Sequence, residues 1–136
     1  MKENRSIPHC NVIPELSYPD VGQAVDWLCD VFGFTLRVRI ANHRAQLNVG
    51  ECAVVVTERT PGASIGGHSV MVRVDDVNAH YEHARQRGAR ILRPPADHPY
   101  GERQYAVEDF AGHTWKFSQS IDDVDPASWG GEMGQL

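Results

Sequence analysis

The chain has 136 residues, 41% of them hydrophobic and 23% charged, and its 18 acidic and 13 basic residues give a formal net charge of −5. This length and composition are typical of one globular domain with a packed core. The acidic balance leaves no basic surface for phosphate backbones, and no stretch approaches the roughly 18 apolar residues of a membrane-spanning helix. We therefore expect neither a nucleic-acid partner nor a membrane partner.

The cysteine pattern bears on the compartment. Cys10, Cys29 and Cys52 are odd in number and show no Cys-x-x-Cys spacing. Such a set favours reduced thiols over a disulfide framework or a zinc ribbon, and the N-terminus lacks the charged lead and apolar run of a secretory signal. The sequence therefore predicts a soluble, cytoplasmic protein.

The first half of the chain predicts an arm followed by one compact module. Residues 1–11 are polar and without a period, which is typical of a loose arm, and the module spans about 12–57. Its predicted elements are a strand at 12–18, a helix between the cap Asp20 and the stop Gly33, and strands at 35–40, 44–49 and 52–57. Alternating strands separated by short reversal points predict an antiparallel meander after the helix.

The second half repeats this order of elements. Residues 58–67, rich in Gly and Pro, predict a linker, and about 68–118 predict a second module. Its predicted elements are a strand at 69–74, a helix between Asp75 and Gly88, a strand at 89–92, and a closing hairpin at 103–108 and 113–118. The capping and stopping residues of the two helices are equally far apart, which indicates an internal duplication.

The last segment, residues 119–136, is predicted to be a tail. It carries an acidic cluster followed by Trp129 among glycines. A large aromatic residue in such a segment commonly serves as an anchor, so we expect Trp129 to dock on the body or on a second subunit.

The residues that identify a family lie in the closing hairpin, at 100–117, with the sequence YGERQYAVEDFAGHTWKF. This stretch resembles the pattern YGxRxYxxxDPxGHxWxF of the glyoxalase/bleomycin-resistance/extradiol-dioxygenase superfamily, also called vicinal oxygen chelate proteins. Phe110 stands where proline is usual. The resemblance covers roughly 12–118 and is nearest to the small glyoxalase-like branch.

The resemblance implies an α+β fold of two tandem βαβββ modules. Their curved sheets would enclose a cavity, with the helices on the outside. It also implies a small-molecule ligand and a homodimer, and it leaves open whether modules pair within one chain or are swapped between chains.

Metal-using members of that superfamily place His or Glu on the opening and the last strand of each module. The corresponding positions here are Ile13, Val55, Ser69 and Lys116. None of them is a convincing ligand, and an ammonium group beside a divalent ion is strongly disfavoured in a closed site. We therefore predict no metal and no cofactor.

A slip of one residue in strand register would weaken this prediction. The slip would bring His68 to the position of Ser69 and turn that strand over. His68 and His113 both lie beside glycines at strand ends, where a structural histidine is commoner than a ligand. We interpret both as structural.

Alternation along the strands yields a set of candidate ligand-binding residues on or near the cavity side. They are Glu15, Ser17, Ser69, Met71, Arg73, Tyr100, Arg103, Tyr105 and Lys116. We expect Arg73 and Lys116 to hold an anionic oxygen and Tyr105 and Met71 to supply apolar contact. Glu15 is either half of an ion pair with Arg73 or Lys116, or a general base.

Four functions follow from these residues. The preferred hypothesis is a metal-independent protein that binds a small organic molecule without turning it over. The alternatives are a metal-dependent lyase, isomerase or dioxygenase, a metal-free enzyme with Glu15 as its base, and an interaction protein whose cavity is filled by its own side chains.

Overall fold

The computed structural model describes residues 4–10, 12–60 and 68–131. Residues 61–67, which are most of the predicted linker, lie outside the described residues, as do the ends of the predicted arm and tail. The chain divides into two compact units. Unit one contains the chain up to His68 together with the turn Asp109–His113, and unit two contains Ser69–Glu108 and the chain from Thr114 onward.

Unit one is a four-stranded sheet with one helix. Its elements are β1 (Glu15–Tyr18), α1 (Val21–Phe32), β2 (Thr35–Ile40), β3 (Arg44–Val49) and β4 (Cys52–Glu58). The strand order is β1-β4-β3-β2, with β1 parallel to β4 and the other neighbours antiparallel. The predicted order of elements is observed, although β1 begins at Glu15 and not at residue 12.

Helix α1 begins and ends where the sequence predicts. Asp20 accepts a hydrogen bond from the backbone N–H of Gln23, and Gly33 ends the helix with a φ of 80°, which favours a residue without a Cβ. The apolar stripe of α1 is buried and consists of Val21, Ala24, Val25, Leu28, Val31 and Phe32. This stripe keeps one face of the sheet dry, as the burial of Leu16 and Leu47 shows.

Unit two repeats the arrangement. Its elements are β5 (Ser69–Arg73), α2 (Val77–Gln86), β6 (Arg90–His98), β7 (Glu102–Glu108), β8 (Thr114–Ser120) and a short 3₁₀ helix (Pro126–Trp129). The strand order is β5-β8-β7-β6, again with the opening strand parallel to the last one. The predicted α+β fold of two tandem βαβββ modules is confirmed.

Helix α2 differs from the prediction at its start. The cap is Asp76, whose side chain accepts from the N–H of Ala79, and not Asp75. The extended backbone at Asp76 lets Val77, fully buried, open the helix. Of the described helix residues only Val77 and Ala84 are buried, so α2 contributes a thinner apolar stripe than α1.

Strand β6 is longer than predicted. The sequence placed a strand at 89–92, whereas β6 continues to His98 through Pro94 and Pro95, with two irregularities in its register to β7. An edge strand tolerates proline because its outer N–H groups have no partner to lose. No helix within the described ranges is long and apolar enough to cross a membrane.

Candidate functional site

Each sheet has a face covered by its helix and an opposite, open face. In unit one the register sets Glu15 opposite Val55 and Val55 opposite Gln46, which places all three on the open face. The neighbouring row, with Leu16 opposite Val56, is buried on the helix side. The predicted alternation of this first module is therefore observed.

The N-terminal arm lies across the open face of unit one. Gln46 donates its amide to the carbonyl of Ser6 at 2.8 Å, and Arg37 donates to the carbonyls of Arg5 and Ile7 at 3.0 and 3.3 Å. The described part of the arm is thus held by the sheet, although the sequence predicted it to be loose. A cavity of about 290 Å³ lies there, lined by Ser6, Ile7, Ile13, Glu15, Ile40, Arg44, Gln46 and Val55.

Glu15 forms an ion pair within this cavity. Its Oε1 lies 2.6 Å from Nη2 of Arg44, and both side chains are about half exposed. The sequence predicts Arg73 or Lys116 as the partner, whereas the observed partner is Arg44. The side chain therefore meets a cation of its own sheet, because Arg44 stands in the strand two positions away from β1.

Ser17 and the turn Asp109–His113 form a buried polar cluster in unit one. The carbonyl of Ser17 accepts from Nη2 of Arg59 at 2.8 Å and contacts Nε2 of His113 at 2.6 Å. Tyr18 donates its hydroxyl to Oδ2 of Asp109 at 2.7 Å, and Oδ1 of Asp109 accepts from the N–H of His113. His113 is 2% exposed, which agrees with the interpretation of this residue as structural.

The open face of unit two carries a row of residues that the register defines. Arg93 of β6 is opposite Ala106 of β7, and Ala106 is opposite Lys116 of β8. We call Arg93, Ala106 and Lys116 the cationic row. Met71 of β5 is opposite Lys116 and continues the row, with a side chain that is 59% exposed.

A cavity of about 160 Å³ lies over the cationic row. It is lined by Arg93, Pro94, Ala96, His98, Tyr100, Gln104, Tyr105, Ala106 and Lys116, and none of these is an acid. Within residues 4–10, 12–60 and 68–131, neither Arg93 nor Lys116 makes an ion pair or a side-chain hydrogen bond. Three of the predicted ligand-binding residues, Tyr100, Tyr105 and Lys116, therefore line this cavity.

A chain of hydrogen bonds supports the wall of this cavity. Tyr100 donates to Oε1 of Gln104 at 3.0 Å, Nε2 of Gln104 donates to Ser118 at 3.0 Å, and Ser118 donates to Oε1 of Glu102 at 2.7 Å. Gln104 and Ser118 are both buried. Because Gln104 accepts from Tyr100 through its oxygen and donates to Ser118 through its nitrogen, the orientation of the Gln104 amide is fixed.

Glu102 ends this chain, and its pKa is lowered. Burial opposes its ionisation, but hydrogen bonds from Ser120 and Ser118 and the charge of Arg73 outweigh that effect. Arg73 also donates to the hydroxyl of Ser120 at 2.7 Å and lines an open cleft with Glu102, Asp122 and Asp123. The structure thus places Arg73 in a cleft beside acids, and not in the cavity with Lys116. Ser69, another predicted ligand-binding residue, is exposed at the start of β5.

Arg103 and Tyr105 lie on the helix face of unit two. Nε of Arg103 donates to Asn78 of α2 at 2.9 Å, and the hydroxyl of Tyr105 lies 2.6 Å from Nδ1 of His80. The Tyr105 ring is 1% exposed and stacks on Phe117, and burial raises the pKa of its phenol. The sequence predicts both residues on or near the cavity side. Tyr105 does line the cavity, but its ring is buried against α2, and Arg103 is not among the lining residues. Alternation turns Gln104 and Ala106 to the open face.

Several residues of the two cavities were not predicted. The alternation of side chains along 103–108 places Gln104 and Ala106 on the side of the strand opposite to Tyr105. This pattern is the sequence signal that could have identified Gln104 and Ala106. Arg93 and His98 were missed because the predicted strand stopped before the two prolines. The ring of His98 stacks on Tyr100 with centroids 5.2 Å apart.

Comparison with known proteins decides the family. The family model of the Glyoxalase/Bleomycin resistance protein/Dioxygenase superfamily matches residues 6–117. The chain belongs to this superfamily. The predicted resemblance is therefore confirmed, on a match that spans both units.

The chain is also similar to solved structures and to other proteins along most of its length. The crystal structure of TioX from Micromonospora sp. ML1 is 37% identical and covers 82% of this chain and 99% of its own, with a TM-score of 0.70. A lactoylglutathione lyase from Agrobacterium tumefaciens is 16% identical, covers 84% and 96%, and has a TM-score of 0.68, which shows a shared fold alone. An uncharacterized protein of Mycobacterium bovis is 25% identical over 128 residues, covering 82% of this chain and 84% of its own.

The superfamily's metal positions can now be compared with the residues present. Ile13 lies as many residues before Asp20, the cap of α1, as Ser69 lies before Asp76, the cap of α2. Val55 pairs with Glu15 of β1, and Lys116 pairs with Met71, the corresponding residue of β5. Ser69 opens β5, and His68 lies one residue before it. The described ranges contain no group of three or more His, Cys, Asp or Glu able to hold a metal. The residues present do not fit a divalent ion.

Proposed function

We propose that this member of the superfamily binds a small organic molecule on the open faces of its sheets without a metal ion. One observation carries the proposal. The positions that metal-using relatives fill with His or Glu are here Ile13, Val55, Ser69 and Lys116, and the strand register in each unit supports that correspondence.

Electrostatics favours this function over metal-dependent chemistry. An ammonium about 5 Å from a divalent ion is repelled by about 7 kcal/mol at an effective dielectric constant of about 20. The Lys116 side chain has no acidic neighbour among the residues that line its cavity. A metal there would have to overcome that repulsion without carboxylate or imidazole ligands to offset it.

The cavities suit a small ligand. Their volumes of about 290 and 160 Å³ are at or below the lower end of the roughly 300–1,000 Å³ that ligand pockets occupy. Both combine apolar side chains with a few polar groups in fixed positions, which is the usual composition of a recognition site.

No observation favours Glu15 as a general base. Its carboxylate is engaged by Arg44, so abstraction of a proton would first require that ion pair to open. Likewise, the lyase from Agrobacterium shares the fold and does not bring its activity to this chain. Catalysis by Glu15 stays a prediction, which turnover of a substrate panel by the wild type and by Glu15→Gln would reveal.

We also propose a homodimer in a reducing cytoplasm. The edge strand β2 exposes Leu36 and Ile40, 48% and 53% accessible, which a second subunit would cover. The three cysteines are free in the structure. Sedimentation equilibrium of the purified chain tests the dimer, and a monomer at micromolar concentration would contradict it.

The decisive experiment on function combines elemental analysis with a ligand screen. The full chain, purified without chelator, is expected to contain no stoichiometric zinc, nickel, manganese or iron. A thermal-shift screen against small organic molecules is expected to give saturable stabilisation that added metal does not change. Stoichiometric metal, or ligand binding that needs metal, would overturn the proposal.

A further inference from the structure

The cavity over the cationic row differs in charge from the two other cavities described above. In unit one Glu15 and Arg44 neutralise each other. In the cleft beside Arg73 the lining has three acids, Glu102, Asp122 and Asp123, and one cation. The cavity of the cationic row has Arg93 and Lys116 and no acid. Two unpaired cations in one cavity repel each other until an anion joins them.

The register brings the two cations into reach of one ligand. Arg93 and Lys116 stand two strands apart, which separates their Cα atoms by about 9–10 Å across the sheet. Only Ala106 lies between them in the row, and its methyl group leaves the space above it free for other groups. Both long side chains can therefore meet over the small residue.

The rest of the wall is fixed and partly aromatic. Gln104 is 6% exposed and its amide is locked between Tyr100 and Ser118. His98 and Tyr100 stack with ring planes 11° apart, which presents a flat edge beside the cations. Such a wall suits a planar group attached to the anion, with stacking and apolar contact beside the charge.

From these observations we infer that the cationic row binds the carboxylate of a small planar organic acid, with the acid's ring against His98 and Tyr100. The inference rests on the proposed function and names the ligand chemistry of that site. A guanidinium presents a planar fork to a carboxylate, and an ammonium adds a point charge. A cavity of about 160 Å³ limits the ligand to about one ring and its carboxylate.

The test uses benzoate as the probe and benzamide as its neutral counterpart. Titrations of the ¹⁵N-labelled full chain, followed by NMR, are expected to show saturable shifts around Ala106 and Gln104 with benzoate. Benzamide is expected to bind at least tenfold more weakly, and benzoate affinity is expected to fall as salt rises. Equal binding of the two probes, or no saturable shift with benzoate, would overturn the inference.

Variants assign the effect to the two cations. Arg93→Gln and Lys116→Gln are each expected to weaken benzoate at least tenfold. Arg90→Gln is the matched control, because it removes the same charge from β6 at a residue that pairs with Glu108. Circular dichroism confirms folding of each variant. If the Arg90 variant weakens benzoate as much as the Arg93 variant, the effect is one of net charge and the inference is wrong.

Titrations with inorganic phosphate and with acetate, two anions without a ring, test which part of the ligand the site recognises. We expect acetate and phosphate to bind more weakly than benzoate, because neither has a ring to place against Tyr100. Phosphate binding tighter than benzoate would assign the site to a phosphate group and overturn the carboxylate assignment. Binding of a neutral molecule elsewhere, with benzoate inert, would sink this inference while leaving the proposed function in place.

Discussion

The two units have the same order of strands and helix and differ in the charged residues on their open faces. In unit one the face is crossed by the N-terminal arm, and its charges are paired as Glu15 and Arg44. In unit two Arg93 and Lys116 have no acidic neighbour in their cavity. Residues of alternate faces point in opposite directions along each strand, so the face away from the helix can carry a different charge pattern in each module.

The helix faces differ as well. Helix α1 buries six residues, whereas the described residues of α2 bury only Val77 and Ala84. Unit two completes its interior with aromatic rings and with the hydrogen bond between Tyr105 and His80. Unit one therefore relies more on apolar packing, and unit two more on polar contacts under its helix.

The largest expected effect tests that contrast in packing. Leu28→Ala in α1 is expected to lower the free energy of unfolding by about 4 kcal/mol, because Leu28 is fully buried and its removal leaves a cavity. The equivalent position in α2 is Ala84, where Ala84→Gly is expected to cost about 1 kcal/mol. Urea unfolding measures both, and equal losses would contradict the contrast.

The tail contact of unit two is the next test. A Cβ on Gly101, whose φ is 83°, would clash with the backbone carbonyl oxygen of Asp122. Gly101→Ala is therefore expected to destabilise by about 3 kcal/mol, because backbone must move. The matched control in unit one is Gly50→Ala, with a φ of 60° and open space around its Cβ, for which about 1 kcal/mol is expected. Urea midpoints that fall equally would show that the tail is not packed there.

Removing one tyrosine hydroxyl from each unit tests the polar contacts of the two units. Tyr18→Phe leaves an oxygen of the buried Asp109 without its 2.7 Å donor, at an expected cost of about 2 kcal/mol. Tyr105→Phe removes the contact with the half-buried His80, at about 1 kcal/mol, since that ring can turn toward water. Thermal unfolding of the two variants in the same buffer ranks them, and the reverse order would refute the assignment.

The smallest expected effect is a pH dependence in unit two. Glu102 has a lowered pKa, so its ionised form stabilises the fold above its unfolded pKa, and this contribution is lost as pH falls through its folded pKa. Glu102→Gln is expected to cost less than about 1 kcal/mol at pH 7, because the group is solvent-screened, and to cost nothing near pH 2. Unfolding of wild type and variant at both pH values checks this, with Ser120→Ala as a control that should narrow the difference.

Much of the fold was predictable from local pattern. The cap and stop of α1, the strands of the first module and the closing hairpin depend on side chains a few positions apart. The cap of α2 was placed one residue early, since Asp75 and Asp76 are adjacent and only the backbone conformation at Asp76 distinguishes them. The cavity residues were less predictable, because Pro94 and Pro95 concealed the second half of β6.

The sequence by itself determined the two modules, the side of each strand that Tyr105 and Ala106 occupy relative to one another, and the absence of acidic or imidazole groups at Ile13, Val55, Ser69 and Lys116. Tertiary structure alone decided that Arg44 meets Glu15 and that Arg93 shares a row with Lys116. The reason is physical. Alternation depends on neighbours along the chain, whereas charges share a cavity according to hydrogen bonding between strands that are distant in sequence.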